Sequence, residues 1–246
     1  MREILVIRPK DVFSRILIDS GFSVTNFPTI NTETLADLSE LETYLAEIET
    51  FDGIFITSSK AAEIVAAKLA ETEKVFAGKF YVLGKRSRDL LNKSDCEVFF
   101  SENATTAEKL LDAIPKEELK NKRFLFPRGD LSLRTVPETL QNVAEVVETV
   151  VYRTIETDAS VEKIGEIKEK FERDKISAVC FFSPSGVESF LRKFENFSQS
   201  KIKIAAIGKT TARFIKEKNL RVDFVSAKTS AADFAAEFTS YLRKEI

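Results

Sequence analysis

The groups in this sequence best placed to do chemistry are hydroxyl side chains gathered at a few short turns. They are Thr57 and Ser58 in ITSSKAAE, Ser87 in LGKRSRD, Ser183 and Ser185 in FSPSGVES, and Thr210 and Thr211 in IGKTTARF. Each set follows an apolar run and opens an amphipathic one, so each is predicted to sit where a strand ends and a helix begins. Capping a helix N-terminus accounts for any one of these residues alone. Several helix N-termini converging on one place would also make a field suited to carboxylates or phosphates. Gly84 and Gly208 open two of the turns, yet neither lies in a dinucleotide-binding or P-loop pattern. A nucleotide-dependent transferase therefore lacks its signature. Arg8 and Arg128 follow predicted strands and could clamp a carboxylate, or could be exposed charges beside a strand end.

Histidine is absent. That removes Ser-His-Asp and Cys-His catalysis, and with them every His-containing zinc or iron site. No metal ligand set is predicted. Cys96 in CEVFF and Cys180 in AVCFF sit in apolar runs and are expected in the core. Two lone cysteines do not make a disulfide framework.

The turns come in pairs. YVLGKRSRDLL around Gly84 matches AAIGKTTARFI around Gly208, 124 residues later. Upstream, IFITSSKAAEIV matches CFFSPSGVESFL; downstream, VFFSENATTAEKLL matches FVSAKTSAADFA. Ser58 to Gly84 is 26 residues and Ser183 to Gly208 is 25; Gly84 to Thr106 and Gly208 to Ser230 are both 22. Two like halves predict two like domains and, between them, a cleft.

Short apolar runs alternate with amphipathic stretches, which predicts α/β domains with parallel sheets and helices on both faces. The predicted strands are Ile4–Ile7, Ser23–Phe27, Gly53–Ile56, Phe80–Leu83, Glu97–Phe100, Arg123–Phe126, Val146–Tyr152, Ala178–Phe182, Lys203–Ile207 and Val222–Val225. Helical spacing is clearest over Lys60–Leu69 and Val187–Phe197. In an open parallel sheet ligands bind beyond the carboxyl ends of the strands, which is where all the hydroxyl turns would lie.

Composition narrows the function classes. With 43% hydrophobic and 31% charged residues the chain is that of a soluble globular protein. A net charge of −2 and the lack of a basic helix-turn-helix argue against nucleic acid as a partner. The start, MREILVIRPK, is a charged end and a short strand rather than a signal peptide, and no apolar run approaches the roughly 18 residues of a membrane span. A cytoplasmic protein with no membrane partner is expected, with a monomer as the default.

The strings FDGIFITSSKAAE, FLFPRGD, VETVVYRT, AVCFFSPSGVESFL and AAIGKTTARFI, in this order, resemble the uroporphyrinogen-III synthase family over essentially the whole chain. The resemblance implies a discontinuous domain of residues 1–30 and 156–246 and a second domain of 31–155. The chain would cross near Pro28–Thr32 and Tyr152–Thr157 as a two-stranded hinge. It implies a cofactor-independent lyase of porphyrin and haem biosynthesis. The reaction is cyclisation of hydroxymethylbilane, a linear tetrapyrrole, to uroporphyrinogen III, with loss of water and inversion of ring D.

Loss of the substrate hydroxyl gives an azafulvene that closes through a spiro intermediate. Unaided closure gives isomer I, so an enzyme of this kind works by favouring one geometry. On the resemblance Tyr152, in the VYRT strand, would assist departure of that hydroxyl; packing of the hinge is the other reading. Thr57, Ser58, Gly84, Ser87, Arg128, Ser183, Ser185, Gly208, Thr210 and Thr211 would contact the substrate. A transient contact with hydroxymethylbilane synthase, which makes the unstable substrate, is left open. Two turns depart from the family: T-S-S stands where T-S-P is common, and Ser87 where threonine is usual. Arg86 and Arg88 beside it could be extra carboxylate ligands or a solvated helix face. A non-enzymatic two-domain module that binds a polycarboxylate is the alternative.

Overall fold

A computed structural model describes residues 3–72, 74, 76–92, 96–228 and 230–244. The chain divides into two compact units, Met1–Asn31 with Ile155–Ile246, and Thr32–Thr154. It opens in the first unit with β1 (Glu3–Val6), α1 (Val12–Asp19) and β2 (Ser23–Asn26), and passes into the second through β3 (Ile30–Thr34). There follow α2 (Ser39–Ala46), β4 (Gly53–Ile56), α3 (Ser59–Ala70), β5 (Lys79–Val82), α4 (Lys85–Leu91) and β6 (Glu97–Phe100). The second unit closes with α5 (Ala107–Asp112), α6 (Lys116–Leu119), β7 (Arg123–Gly129), α7 (Thr135–Leu140) and β8 (Glu145–Glu156). The chain then returns to the first unit as α8 (Val161–Glu172), β9 (Ile176–Phe181), α9 (Pro184–Lys193), β10 (Lys203–Ala206), α10 (Lys209–Glu217), β11 (Phe224–Val225) and α11 (Ala231–Arg243).

The first unit holds a parallel sheet in the order β11-β10-β9-β1-β2. The second holds β3-β8-β7-β4-β5-β6, in which β8-β7-β4-β5-β6 is parallel throughout. These are one topology used twice, with β7 and β8 in the places of β1 and β2. Each unit therefore combines strands from both sequence repeats. The strand order reverses between β1 and β9 in one unit and between β7 and β4 in the other, and such reversals open a crevice at the carboxyl ends.

Alternation along the strands divides the cores. Leu5 on β1 and Ile7 just after it join Val187 and Phe190 of α9 and Ile215 of α10, while Ile4 and Val6 join Phe13 of α1 and Phe234 and Phe238 of α11. In the second unit Ile54 and Ile56 face Leu41, Val65 and Leu91 from α2, α3 and α4, and Phe55 faces Leu110 and Leu140 from α5 and α7. Burial of both strand faces explains why the strands are near-continuous apolar runs. Cys180 is buried in this way, and Cys96 packs half-buried against the second unit's core.

Several elements differ from the sequence expectation. β3, INTET, carries no apolar run because it lies at the sheet edge with its side chains half-buried or exposed. Val222–Val225 shrinks to β11 because the Asp223 carboxylate accepts from the Ile204 amide at 2.8 Å, in place of a ladder carbonyl. The helix expected from Val187 begins at Pro184, whose missing N–H is harmless in a first turn, and ends at Lys193. β8 runs on past Tyr152 to Glu156. No helix among the described residues is long and apolar enough to cross a membrane.

Candidate functional site

In the second unit Thr57 and Ser58 follow β4, and Gly84 follows β5. Thr57 is half-buried, and the Ser58 hydroxyl accepts from the Ala61 amide at 3.1 Å, capping α3. Gly84 stands at the N-cap of α4 with φ +90°, a conformation that favours glycine, and offers no side-chain cap. Ser87, three residues on, is 2% exposed. Arg86 is drawn to Glu63 at 2.6 Å, and Arg88 to Asp89 at 2.6 Å and over the Phe100 ring. Both arginines are thus engaged on the helix surface.

The first unit repeats this arrangement. The Ser183 hydroxyl accepts from the Gly186 amide at 3.1 Å, capping α9, and lies 3.2 Å from the Ser185 hydroxyl. Gly208 stands at the N-cap of α10 with extended backbone and no side-chain cap. Thr210 is half-buried, and Thr211, in the place that Ser87 has in α4, is 3% exposed. Arg8 pairs with Asp11 at 3.1 Å and lies 4.4 Å from the Phe182 ring centre.

Of the six helices that follow the repeated strands, α3, α5, α9 and α11 are capped by Ser58, Thr106, Ser183 and Ser230. The two after glycine turns, α4 and α10, have no side-chain cap. Their first-turn N–H groups have no side-chain acceptor of their own, and such groups suit an incoming anion.

β7 and β8 bring together the FLFPRGD and VETVVYRT segments. Gly129 is paired with Tyr152, which is 8% exposed. Arg128 lies with Nε 2.8 Å from a Glu148 oxygen at a poor hydrogen-bond angle, and its Nη1 donates to the Gly129 carbonyl at 3.0 Å. Arg134 reaches the other Glu148 oxygen at 2.5 Å. Hydrogen bonding from Arg134 first, aided by the charge of Arg128, holds the Glu148 carboxyl below the usual range. Arg128 is therefore neutralised within its own unit. A cavity of about 520 Å³ adjoins this group, with Asp37, Glu40 and Glu148 against Arg128 in its lining, a balance that disfavours a polycarboxylate.

Two further findings bear on the chemistry. Burial pushes the Cys180 thiol well up, which leaves it no thiolate character. Tyr81 is buried with its phenol donating to Glu118 at 3.0 Å, so burial and that carboxylate push its pKa up and hold it as a structural group. No cluster of three or more His, Cys, Asp or Glu suited to a metal occurs among the described residues.

Glu148, Asp130, Thr29 and Ser189 were not singled out from sequence. Glu148 had a signal, a lone acid inside an apolar strand. Thr29 and Ser189 had none: Thr29 is buried, its carbonyl accepting from Ser189 Oγ at 3.0 Å and from the Thr157 amide at 3.0 Å. These bonds tie both chain crossings to α9 within the first unit.

A family model described as uroporphyrinogen-III synthase HemD matches residues 11–236. A uroporphyrinogen-III synthase of Chlorobaculum parvum is 28% identical over 253 residues, covering 99% of this chain and all of that protein. The Saccharomyces cerevisiae uroporphyrinogen-III synthase is 24% identical over 74% of this chain and 73% of its own length. Among solved structures, uroporphyrinogen-III synthetase from Helicobacter pylori superposes with a TM-score of 0.67 at 18% identity, over 99% of this chain and 100% of that one. That likeness speaks for the fold.

Proposed function

This chain belongs to the uroporphyrinogen-III synthase family, and from that premise we propose which of its residues carry the reaction. The protein is a cofactor-independent lyase of haem biosynthesis that cyclises hydroxymethylbilane to uroporphyrinogen III, with loss of water and inversion of ring D. The observation that carries this reading is the family match over residues 11–236.

The substrate's acetates and propionates suit the N-terminal turns of α4 and α10, where Gly84 and Gly208 leave amides without a side-chain cap. The hydroxyls of Thr57, Ser58, Ser183, Ser185 and Thr210 lie at the same carboxyl edges and supply neutral hydrogen bonds to further carboxylates. Ser87 and Thr211, almost fully buried, shape the starts of their helices beneath these contacts. Arg128 orders the β7 turn through Glu148.

Tyr152 is the proposed acid. Phenols keep their proton at neutral pH, and donation to the substrate hydroxyl would break its C–O bond and release water. The azafulvene then closes on the substituted carbon of ring D, and the spiro species rearranges with the ring inverted. The proton lost as that ring regains its aromaticity restores the phenol. Because the uncatalysed closure yields isomer I, the protein's contribution is mainly placement of ring D. Direct receipt of the bilane from hydroxymethylbilane synthase, by a cytoplasmic monomer, would shorten the exposure of an unstable substrate.

The test is isomer analysis: generate hydroxymethylbilane in situ, add this protein, oxidise, and separate the uroporphyrin isomers. Predominantly isomer III is expected. Isomer I alone from folded protein would reject the enzymatic reading and leave a polycarboxylate-binding module.

A further inference from the structure

Tyr152 sits on a local departure from regular strand geometry. Arg128 pairs with Val150, but the next residue, Gly129, pairs with Tyr152, so Val151 is an extra residue in β8. A bulge of this kind turns two successive side chains toward one face. Val151 and Tyr152 indeed both join the cluster formed with α2, α3 and α4. The bulge thereby aims the tyrosine ring across the end of β7.

The residue under the ring is Gly129. A Cβ built there would lie 2.4 Å from both Cε2 and Cζ of Tyr152 and 2.8 Å from its hydroxyl oxygen. No side chain fits at 129 while the ring stays where it is. The following residue holds the backbone on either side of Arg153. The Asp130 amide donates to the Tyr152 carbonyl at 3.1 Å, and Asp130 Oδ1 accepts from the Thr154 amide at 2.9 Å. The turn is itself closed by Ser132, whose hydroxyl accepts from the Gly129 amide at 3.0 Å.

We propose that Gly129 and Asp130 are positioning residues for the Tyr152 phenol: Gly129 provides the surface on which the ring lies, and Asp130 fixes the strand that carries it. This deepens the reading of Tyr152 as the acid and rests on it. It also connects two segments of the sequence, PRGD and VYRT, as one device rather than two contacts.

The chain has four tyrosines and no tryptophan, so 3-fluorotyrosine labelling gives a ring spectrum that can be assigned residue by residue, with Tyr152→Phe identifying its own line. Gly129→Ala should move the Tyr152 line and leave the other three in place. It should lower kcat by about as much as Tyr152→Phe, about a hundredfold, with KM within about twofold. The double variant should be no slower than Tyr152→Phe alone, because the misplaced group is already gone. Asp130→Ala should also move the line and lower kcat. Asp130→Asn, which keeps an oxygen acceptor for the Thr154 amide, should restore both, and this pair carries the test if Gly129→Ala does not fold.

An unmoved Tyr152 line in Gly129→Ala and Asp130→Ala would overturn the inference. So would losses that multiply in full in the double variant. If Tyr152→Phe instead retains parental kcat, the phenol has no chemical role, and a moved line in Gly129→Ala upholds the seating while the acid assignment fails.

Discussion

At the scale of single residues, two hydroxyls can be separated by what their removal does. Tyr152→Phe deletes one oxygen from a ring that stays packed, so its thermal midpoint should hold within about 2 °C while kcat falls by about a hundredfold. Unchanged turnover would make Tyr152 a packing residue. Thr211 is buried, so Thr211→Ala should cost about 1 kcal/mol of stability, yet lower kcat/KM by about thirtyfold, equivalent to about 2 kcal/mol. Denaturant titration and steady-state kinetics on one preparation compare the two directly. A folded variant with parental kinetics would remove Thr211 from the site. Sequence marked both residues as hydroxyls in family-like strings. It did not mark that one lies over a glycine and the other beneath a helix start, because both facts depend on what packs against them.

At the scale of elements, the glycine turns and the serine turns are built differently although they occupy matching places. Gly84 adopts φ +90° with nothing within 4 Å of a would-be Cβ, so Gly84→Ala meets only backbone strain, about 1–2 kcal/mol. A urea midpoint equal to the parent's would show that the turn relaxes freely to negative φ. Ser58→Ala removes a cap whose hydroxyl accepts from the Ala61 amide and should cost about 1 kcal/mol. The repeat and the hydroxyl turns were plain in sequence because they rest on local patterning. The edge strand β3 and the bulge at Val151 were not: a polar edge strand has no apolar run, and a bulge exists only against its neighbour's register.

For the whole molecule, paired carboxylates in both units set the response to acid. Glu148 is held low chiefly by Arg134, and Glu156 chiefly by Arg192. A carboxyl with a depressed folded-state pKa contributes stability that is full above its unfolded value. That contribution is lost as pH falls through the depressed one. The protein should therefore lose stability below about pH 4. Glu148→Gln should be about 1 kcal/mol less stable than the parent at pH 7, and the difference should shrink toward pH 3; urea midpoints at the two pH values measure it. A gap that stays constant would mean that Glu148 acts by shape rather than charge.

Sequence by itself determined the parallel α/β class, the duplication, the family and the hydroxyl turns at strand ends, because period, spacing and turn chemistry are local and written in residue order. Tertiary structure decided which strands lie side by side, with β7 and β8 taking the places of β1 and β2. It also decided that Arg128 is held by Glu148 and that Tyr152 lies on Gly129. Strand neighbours and ring contacts join residues far apart in the chain, and no local pattern encodes which of them will meet.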